Sequence, residues 1–299
     1  MAKFAKHVDP QAVAEKQAAN VMKLIQGKSL SSVGTIRNYE ERLTMVAKHA
    51  NATFQCGLRA LTVEQAHQYL ADRATEVGQK TLDMERQAMQ FMMQHVTGKL
   101  SPTEKLDVIK SEQQQILSAR AYTPVQAKMI ADAQTERNAL ATEIAHAAGL
   151  RAHELHTLQH IDERHPDPRP ARAEKFSHRE GKRYTVEGKG GLIREILIPR
   201  DLVGRLEMRR LEQPSQITDR GVNYITHYDI NGGNRWSSSF STASNRSLNW
   251  STGAHGLRHS YAQERMSELQ KVMPYKDALE VVSQEMGHFR PDITEVYLR

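Results

Sequence analysis

The chain has 299 residues, 39% of them apolar and 25% charged, with a formal net charge of +6, which describes a soluble protein large enough for two domains. No stretch reaches the roughly 18 apolar residues of a membrane span, and the N-terminal residues lack the apolar segment of a secretory signal. The single cysteine, Cys56, excludes an internal disulfide or a zinc site of several thiolates. We therefore expect a cytoplasmic protein without membrane partners, and its basic balance mildly favours a polyanionic ligand.

The first hundred residues are predicted to be helical. Asp9 followed by Pro10 is a typical helix start, because the Asp side chain can cap the helix and proline needs no hydrogen bond at the first helical position. Caps and apolar residues at helical spacing predict four helices, over 10–27, over about 32–49, from Thr62 onwards and over about 80–97. The methionines of the last helix are interpreted as core packing. The polar, glutamine-rich stretch 98–122 is predicted to connect two domains.

The rest of the chain is predicted to combine helices, irregular stretches and one β-hairpin. Helices are expected from Thr123-Pro124 and over about 135–148, where Gly149 provides a left-handed cap. Two β-rich runs flank Gly-Lys-Gly-Gly at 188–191, which predicts a hairpin. The remaining predictions are an irregular loop over 161–183, a helix over about 201–211, an irregular Gly/Ser/Asn-rich stretch over 231–253, helices around 257–270 and 275–286, and a short segment ending at Arg299.

Six side chains of this second region could carry chemistry: Arg151, Lys189, His255, Arg258, His288 and Tyr297. Each alone has an ordinary structural explanation. A His-x-x-Arg spacing such as His255 to Arg258 is expected about once by chance in a chain of this composition. Lys189 could be a solvated turn lysine, and Tyr297 could anchor the last helix. The individual residues therefore assign no function.

The order of the motifs is more informative than any one of them. In chain order they are Ala-Gly-Leu-Arg ending at Arg151, Gly-Lys-Gly around Lys189, His-Gly-Leu-Arg-His-Ser from His255 to Ser260, Met-Gly-His ending at His288, and Tyr297 nine residues later. This order resembles the catalytic domain of the tyrosine recombinases, whose catalytic set is Arg, Lys, His, Arg, His or Trp, and a nucleophilic Tyr. The resemblance covers roughly 120–299. Residues 1–100 are similar to the family's core-binding domain only in size and helix content.

The resemblance implies a fold that is mainly α with a small antiparallel β-sheet. It implies a two-domain DNA clamp, with a helical core-binding domain over 1–110, a linker over 111–122 and a catalytic domain over 123–299. The partners implied are double-stranded DNA recombination sites and further copies of the chain. Four protomers would meet at a synapse, and a monomer or weak dimer would exist free in solution.

Metal-free cleavage of a phosphodiester needs a nucleophile, stabilisation of the charge on a phosphorane, and a proton for the leaving 5′ oxygen. The resemblance makes Tyr297 the nucleophile, with a covalent 3′-phosphotyrosine as product. Arg151 and Arg258 would stabilise the phosphorane, since each guanidinium offers a planar fork to phosphate oxygens and stays protonated. His255 is the expected proton acceptor beside Tyr297.

The remaining roles also follow from the resemblance. Lys189 would protonate the leaving oxygen, and His288 would hydrogen-bond the scissile phosphate. Glu154 matches an acidic position that typically braces the active site, and His259 is expected to be a buried supporting residue. Because the tyrosyl ester conserves the bond energy, no cofactor, nucleotide or metal ion is expected.

Two further features of the sequence leave alternatives open. His156 and His160, with His153 nearby, could bind zinc if one helix carries them. The metalloprotease pattern is absent, however, and a solvated or DNA-proximal basic face is the favoured interpretation. Basic clusters over 164–183 and 205–210 are candidates for phosphate contacts, which position a protein on DNA without reading sequence, or are only solvated faces.

The activity implied is site-specific DNA strand exchange, as in integration, excision or the resolution of dimers. The same chemistry could serve topoisomerase-like relaxation of supercoils, and the same fold could serve a non-catalytic DNA-binding regulator. A metal-dependent nuclease is a further alternative. Only two residues follow Tyr297, so either the subunits are regulated without a C-terminal tail or the chain has been cut, and coupling of subunits by such a tail is in doubt. We also expect no binding of arm sites, because no extra module is seen ahead of the helical region.

Overall fold

The computed structural model describes residues 9–26, 30, 33–115 and 117–299. The chain divides into two compact units, Met1–Ile116 and Leu117–Arg299. Each unit is described by itself below. Within the described residues, no helix is both long and apolar enough to cross a membrane.

The first unit is built from helices. They are α1 (Pro10–Ile25), α2 (Val33–Thr53), α3 (Val63–Ala74) and α4 (Gln79–Met92), with a single-turn 3₁₀ helix at Leu58–Ala60 and a π-helical turn at Met93–Thr97. The predicted starts of α1 and α3 are confirmed, since Asp9 caps the first and Thr62 and Gln65 form a capping box on the second. The expected end of α1 at Gly27 and start of α2 at Ser32 lie outside the described residues.

The core of the first unit is formed by apolar faces of all four helices. Met89, Met92 and Met93 are buried in it, which confirms core packing as their role. The polar stretch that follows also contributes, because Leu100 and Leu106 are buried in the same core. The chain beyond α4 is thus packed on this unit for part of the stretch predicted to be a connection.

The second unit contains seven helices among its described residues. They are α5 (Pro124–Asp132), α6 (Glu136–Ala148), α7 (Arg200–Glu207), α8 (Gly233–Leu248), α9 (Gly256–Leu269), α10 (Tyr275–Glu285) and α11 (Pro291–Glu295). Gly149 ends α6 with φ +59°, and a Cβ at this position would lie 2.8 Å from the Tyr261 ring. Glycine is therefore required here both for its backbone conformation and for the close packing of α6 against α9.

Two antiparallel sheets complete the second unit. The first has the order β1-β2-β3 and comprises β1 (Gln159–His160), β2 (Lys182–Glu187) and β3 (Ile193–Ile198). The second pairs β4 (Arg210–Asp219) with β5 (Val222–Tyr228). The predicted hairpin around 188–191 is confirmed, with Glu187 opposite Ile193. The predicted fold class, mainly α with a small antiparallel sheet, is also confirmed.

Two predictions for the second unit are wrong. Residues 231–253 are not irregular, because α8 occupies Gly233–Leu248. The helix is stabilised by a narrow apolar face in which Trp236, Phe240 and Ala243 are buried, and Trp236 Nε1 donates to Thr142 Oγ1 at 3.0 Å. The helix predicted over about 201–211 ends at Glu207, and the strand β4 follows. The β4–β5 hairpin is too polar to show an alternating pattern.

Candidate active site

The second unit places the six sequence-predicted residues at helix ends and in turns. Arg151 follows the cap of α6, Lys189 lies at the tip of the β2–β3 hairpin, His255 and Arg258 lie at the start of α9, His288 lies in the turn after α10, and Tyr297 follows α11. Their local structures are the ones that the sequence indicates: a glycine cap, a glycine-rich turn and a helix N-terminus.

Tyr297 lies among three of these residues. Its hydroxyl is 3.2 Å from His255 Nε2, and its ring stacks on the His288 ring with centroids 5.0 Å apart. The Arg258 Cζ atom lies 5.5 Å from the Tyr297 ring centroid, a cation–π arrangement. The main chain is held from α9, where Gln263 Nε2 donates to the Tyr297 carbonyl at 3.2 Å.

His288 is held as a neutral ring by its two neighbours. Arg258 Nη2 is 2.9 Å from His288 Nε2, and because a guanidinium can only donate, this ring nitrogen must accept. The proton then lies on Nδ1, which is 2.9 Å from Thr294 Oγ1 and donates to it. Burial, together with the nearby charges of Arg258 and Arg151, lowers the pKa of His288 to about 3, consistent with this assignment.

Glu154 is the centre of a group that we call the arginine cluster, which consists of Glu154, Arg151, Arg194 and Arg258. Its carboxylate is fully buried and accepts from Arg151 Nη1 at 2.7 Å and from Arg194 Nη2 at 2.7 Å. Arg258 Nη1 is 3.9 Å away. Burial would raise the pKa of Glu154, but the guanidiniums outweigh it and hold the pKa well below its usual range.

The arginine cluster carries a net positive charge. Three guanidiniums surround one carboxylate, so the four side chains sum to +2. Burial and the neighbouring Arg151 lower the pKa of Arg258 to about 10, which still leaves it protonated at neutral pH. Arg151 is partly exposed, with 22% of its side-chain surface accessible. An anion such as a phosphate would balance this charge.

Lys189 is placed beside the cluster by its turn. A Cβ at Gly188 would lie 3.4 Å from Glu154 Oε1 and 3.8 Å from Arg151 Nη1, so the hairpin turn lies against that pair. Gly190 and Gly191 both have φ +81° and complete the turn. The Lys189 side chain is exposed. The other five predicted residues, by contrast, contact one another or Glu154.

Two histidines at the start of α9, His255 at its N-cap and His259 in its first turn, complete the surroundings of Tyr297. His255 is exposed as a residue, but desolvation of its ring by the surrounding protein and the charge of Arg258 lower its pKa to about 4. Its ring is therefore neutral at pH 7, and Nε2 can accept the phenolic proton. His259 is buried, and its ring centroid is 4.8 Å from that of Tyr297. Burial and the charge of Arg120 lower its pKa to about 4 as well. The His259 ring therefore packs against the Tyr297 ring.

The histidines considered for zinc do not share a helix. His156 belongs to the 3₁₀ turn Glu154–Thr157 and packs near the Tyr224 ring, whereas His160 is in β1 and packs on Tyr184. Among the residues that the structure describes, no group of three His, Cys, Asp or Glu side chains could hold a metal ion.

Most side chains of the two basic clusters are paired with carboxylates of the same unit: Arg172, Lys175, Arg179, Arg183, Arg205, Arg209 and Arg210. Arg172 bonds Asp277 and Glu280 at 3.1 Å each, which ties the 161–183 loop to α10. These contacts favour a role in the fold over free phosphate contacts.

Arg194 is the residue of the cluster that sequence reasoning missed. It lies in β3, five residues after Lys189, and is only 3% exposed. The signal available was an arginine within a run of Ile and Leu residues, a position that normally excludes charge.

Comparison with known proteins gives a fold. No family model and no curated protein matches the chain. It is similar to a lambda integrase dimer bound to a COC′ core site, with 14% identity, TM-score 0.60, and 95% of this chain and 94% of that one covered. A Tn1549 transposon integrase in complex with transposon right end DNA has 14% identity, TM-score 0.57, and 96% and 95% covered. The XerH site-specific recombinase bound to difH substrate has 12% identity, TM-score 0.54, and 99% and 95% covered. The chain has the tyrosine recombinase fold.

Proposed function

We propose that the chain is a site-specific DNA recombinase that cuts and rejoins strands through a 3′-phosphotyrosyl link at Tyr297. The observation that carries the proposal is the position of the Tyr297 hydroxyl, 3.2 Å from His255 and beside a cluster with a net charge of +2. A nucleophile, a neutral base and excess positive charge are what metal-free attack on a phosphodiester requires.

The proposed cleavage proceeds in one displacement. The Tyr297 oxygen forms a bond to phosphorus while the bond from phosphorus to the 5′ oxygen breaks. The phenolic proton passes to His255, and Lys189 supplies a proton to the leaving 5′ oxygen. Arg151 and Arg258 stabilise the charge on the phosphorane. Attack by the 5′-hydroxyl of another strand reverses the step and rejoins DNA without a nucleotide or metal ion.

His288 has a defined place in this scheme. Because its Nε2 accepts from Arg258 in the free protein, the ring holds one arm of that guanidinium. In the proposed complex, Arg258 contacts the scissile phosphate and His288 orients its guanidinium. For His288 itself to hydrogen-bond the phosphate, as the resemblance implies, its Nε2 would have to gain a proton in place of the contact with Arg258.

The proposed substrate is a pair of double-stranded DNA sites. Solved structures with the same fold are described as bound to a core site, to transposon end DNA and to a recombination substrate. We propose four protomers at the synapse, and a monomer or weak dimer in free solution. The proposed division is a DNA-binding region over 1–110, a linker over 111–122 and a catalytic region over 123–299.

The test uses DNA that the protein itself selects from a pool of randomised duplexes. The selected duplex is resynthesised with a series of nicks, so that a short 5′-hydroxyl fragment diffuses away after cleavage and traps the adduct. Denaturing gels should show a protein–DNA adduct, in the presence of EDTA, for the wild type and for the control Tyr275→Phe. Tyr297→Phe should give none.

An adduct of undiminished yield from Tyr297→Phe would reject Tyr297 as the nucleophile. Loss of the activity in EDTA would indicate a metal-dependent nuclease. Relaxation of plasmids that lack the selected site, without recombinants, would favour the topoisomerase-like alternative. Site binding with no adduct from the wild type would leave a DNA-binding regulator.

A further inference from the structure

Arg194 lies in β3, but its guanidinium contacts both backbone and side-chain groups of the candidate active site. Its Nη2 donates to Glu154 Oε2 at 2.7 Å, and its Nη1 donates to the Glu285 carbonyl at 2.7 Å. Its Nη2 is also 3.4 Å from the Gly149 carbonyl. One guanidinium thus joins the acid that holds Arg151, the cap that precedes Arg151, and the end of α10.

The stem of Arg194 fixes a second feature, the turn that presents His288. A Cβ at Gly287 would lie 2.5 Å from Arg194 Cδ, and Gly287 has φ +71°. Only a residue without a side chain can follow this path, because a Cβ at position 287 would collide with the Arg194 stem. Arg258 holds the next carbonyl along, that of Met286, at 3.2 Å. Arg194 and Arg258 thus donate to the carbonyls of consecutive residues, Glu285 and Met286, which lead into this turn.

Burial separates Arg194 from Arg151, the member of the arginine cluster that is open to solvent. Of the Arg151 side-chain surface 22% is exposed, against 2% of the Arg194 side-chain surface. Arg258 is also buried, but it differs from Arg194 because its Nη2 contacts His288 and its guanidinium lies beside the Tyr297 ring. Each of the three guanidinium nitrogens of Arg194 donates to Glu154 or to a backbone carbonyl. Arg194 therefore acts on substrate only through other residues.

We infer that Arg194 is a positioning residue that aligns the Arg151–Glu154 pair and the Gly287–His288 turn around the scissile phosphate. The inference rests on the proposed function and extends it. Without Arg194, the buried Glu154 loses one of its two closest guanidiniums and is free to rotate, and the turn before His288 loses its support. The chemical step slows, while DNA affinity is preserved because no group that touches DNA is removed.

The test measures DNA affinity and the single-turnover rate of adduct formation separately for Arg194→Met and Arg194→Lys. We expect the rate to fall about 100-fold for Arg194→Met, the scale on which misplaced catalytic groups act. Arg194→Lys, which keeps the charge but loses the fork, should recover part of the rate. Affinity should change less than twofold in both. Arg200→Met, at an exposed arginine of the same unit, is the matched control and should match the wild type.

A second substrate identifies which half of the site Arg194 serves. Replacing the leaving 5′ oxygen with sulfur removes the need for a general acid, so this substrate should restore the rate of Lys189→Ala. It should not restore Arg194→Met, because the inference assigns Arg194 to the phosphate-binding half. Full rescue of Arg194→Met by sulfur, or a wild-type rate on the normal substrate, would overturn the inference.

Gly287→Ala provides an independent test if the Arg194 variants do not fold. The added methyl displaces the Arg194 stem while the guanidinium remains, and we expect a rate loss of similar size with DNA affinity preserved. An unchanged rate would contradict the inference. The two proposals fail differently: a wild type that forms no adduct rejects the proposed function, whereas an active wild type with equally active variants rejects only the role of Arg194.

Discussion

Two groups of charged side chains in the second unit each surround a buried carboxylate, are built from the same residue types and differ in net charge. The arginine cluster holds three guanidiniums around Glu154. The second group, which we call the Glu285 cluster, consists of Glu285, Glu268, Arg265 and Arg179. Arg265 bonds Glu285 at 2.9 Å and Glu268 at 2.8 Å, and Arg179 bonds Glu268 at 2.8 Å. Two positive and two negative side chains make it neutral.

The pKa values of the fully buried arginine in each cluster, Arg258 in the first and Arg265 in the second, differ accordingly. Burial alone would lower the pKa of both arginines. Hydrogen bonds to Glu285 reverse that effect and raise the pKa of Arg265 above its ordinary value, whereas the repulsion from Arg151 adds to burial at Arg258. A balanced cluster needs no ligand and ties α9 to α10. An unbalanced cluster leaves charge for a ligand, which is the expected property of a phosphate site.

The largest effects are expected from replacing Arg258 or Arg265, the fully buried arginines of the two clusters. Arg258→Met should reduce the rate of adduct formation by about 10³, with a modest change in the free energy of unfolding, because it also relieves repulsion. Arg265→Met should destabilise the fold by about 3–5 kcal/mol, since it leaves Glu285 buried without its guanidinium. Single-turnover assays and urea denaturation measure the two quantities. Equal destabilisation by both substitutions would break the comparison.

The second expected effect concerns acid stability. The pKa of His288 is about 3 in the folded protein and near 6.5 in the unfolded chain, so between these values the unfolded state binds the extra proton. The free energy of unfolding should therefore fall as the pH falls through this window. His288→Gln should remove up to about 2 kcal/mol of the loss between pH 7 and pH 5. Urea denaturation at both pH values tests this, and an identical loss in the variant would contradict it.

The third expected effect uses an anion to sharpen the contrast. Sulfate should stabilise the wild type relative to chloride at equal ionic strength, by about 1.4 kcal/mol at tenfold excess over its dissociation constant. Arg151→Met should lose this stabilisation, because Arg151 is the exposed member of the arginine cluster. Arg200→Met should retain it. Thermal denaturation measures the shift, and retention in Arg151→Met would place the anion elsewhere.

The smallest expected effect concerns the support of Tyr297. Gln263→Ala removes the donor to the Tyr297 carbonyl and to that of Arg299. One neutral hydrogen bond contributes about 1 kcal/mol, so the rate of adduct formation should fall about fivefold. Gln270→Ala, at the C-cap of the same helix, serves as the control. A rate equal to the wild type would show that the aromatic contacts alone hold the phenol.

Features that depend on neighbouring residues could be predicted from the sequence. The capping box at Thr62, the proline start at Pro124 and the glycine-rich turn around Lys189 are local, and the structure contains all three. The order of motifs indicated the fold, because it does not require knowledge of any contact. The roles of the six predicted residues stay predictions, although five of them contact one another or Glu154.

Features that depend on tertiary contacts could not be predicted. The helix α8 is rich in serine and asparagine, and its stability comes from burying the apolar residues Trp236, Phe240 and Ala243 against the core rather than from its composition. The contacts of Arg194 join β3 to the ends of α6 and α10, which are 45 and 91 residues away in the sequence. Likewise, most arginines of the basic clusters meet carboxylates distant in the chain.

The aromatic ring of Tyr297 also shields the cation beside it. Arg258 has no accessible surface, and the ring lies 5.5 Å above its guanidinium. Under the proposed function, an anion that approaches Arg258 would have to displace this ring. We therefore expect anion entry to be coupled to separation of the Tyr297 hydroxyl from His255.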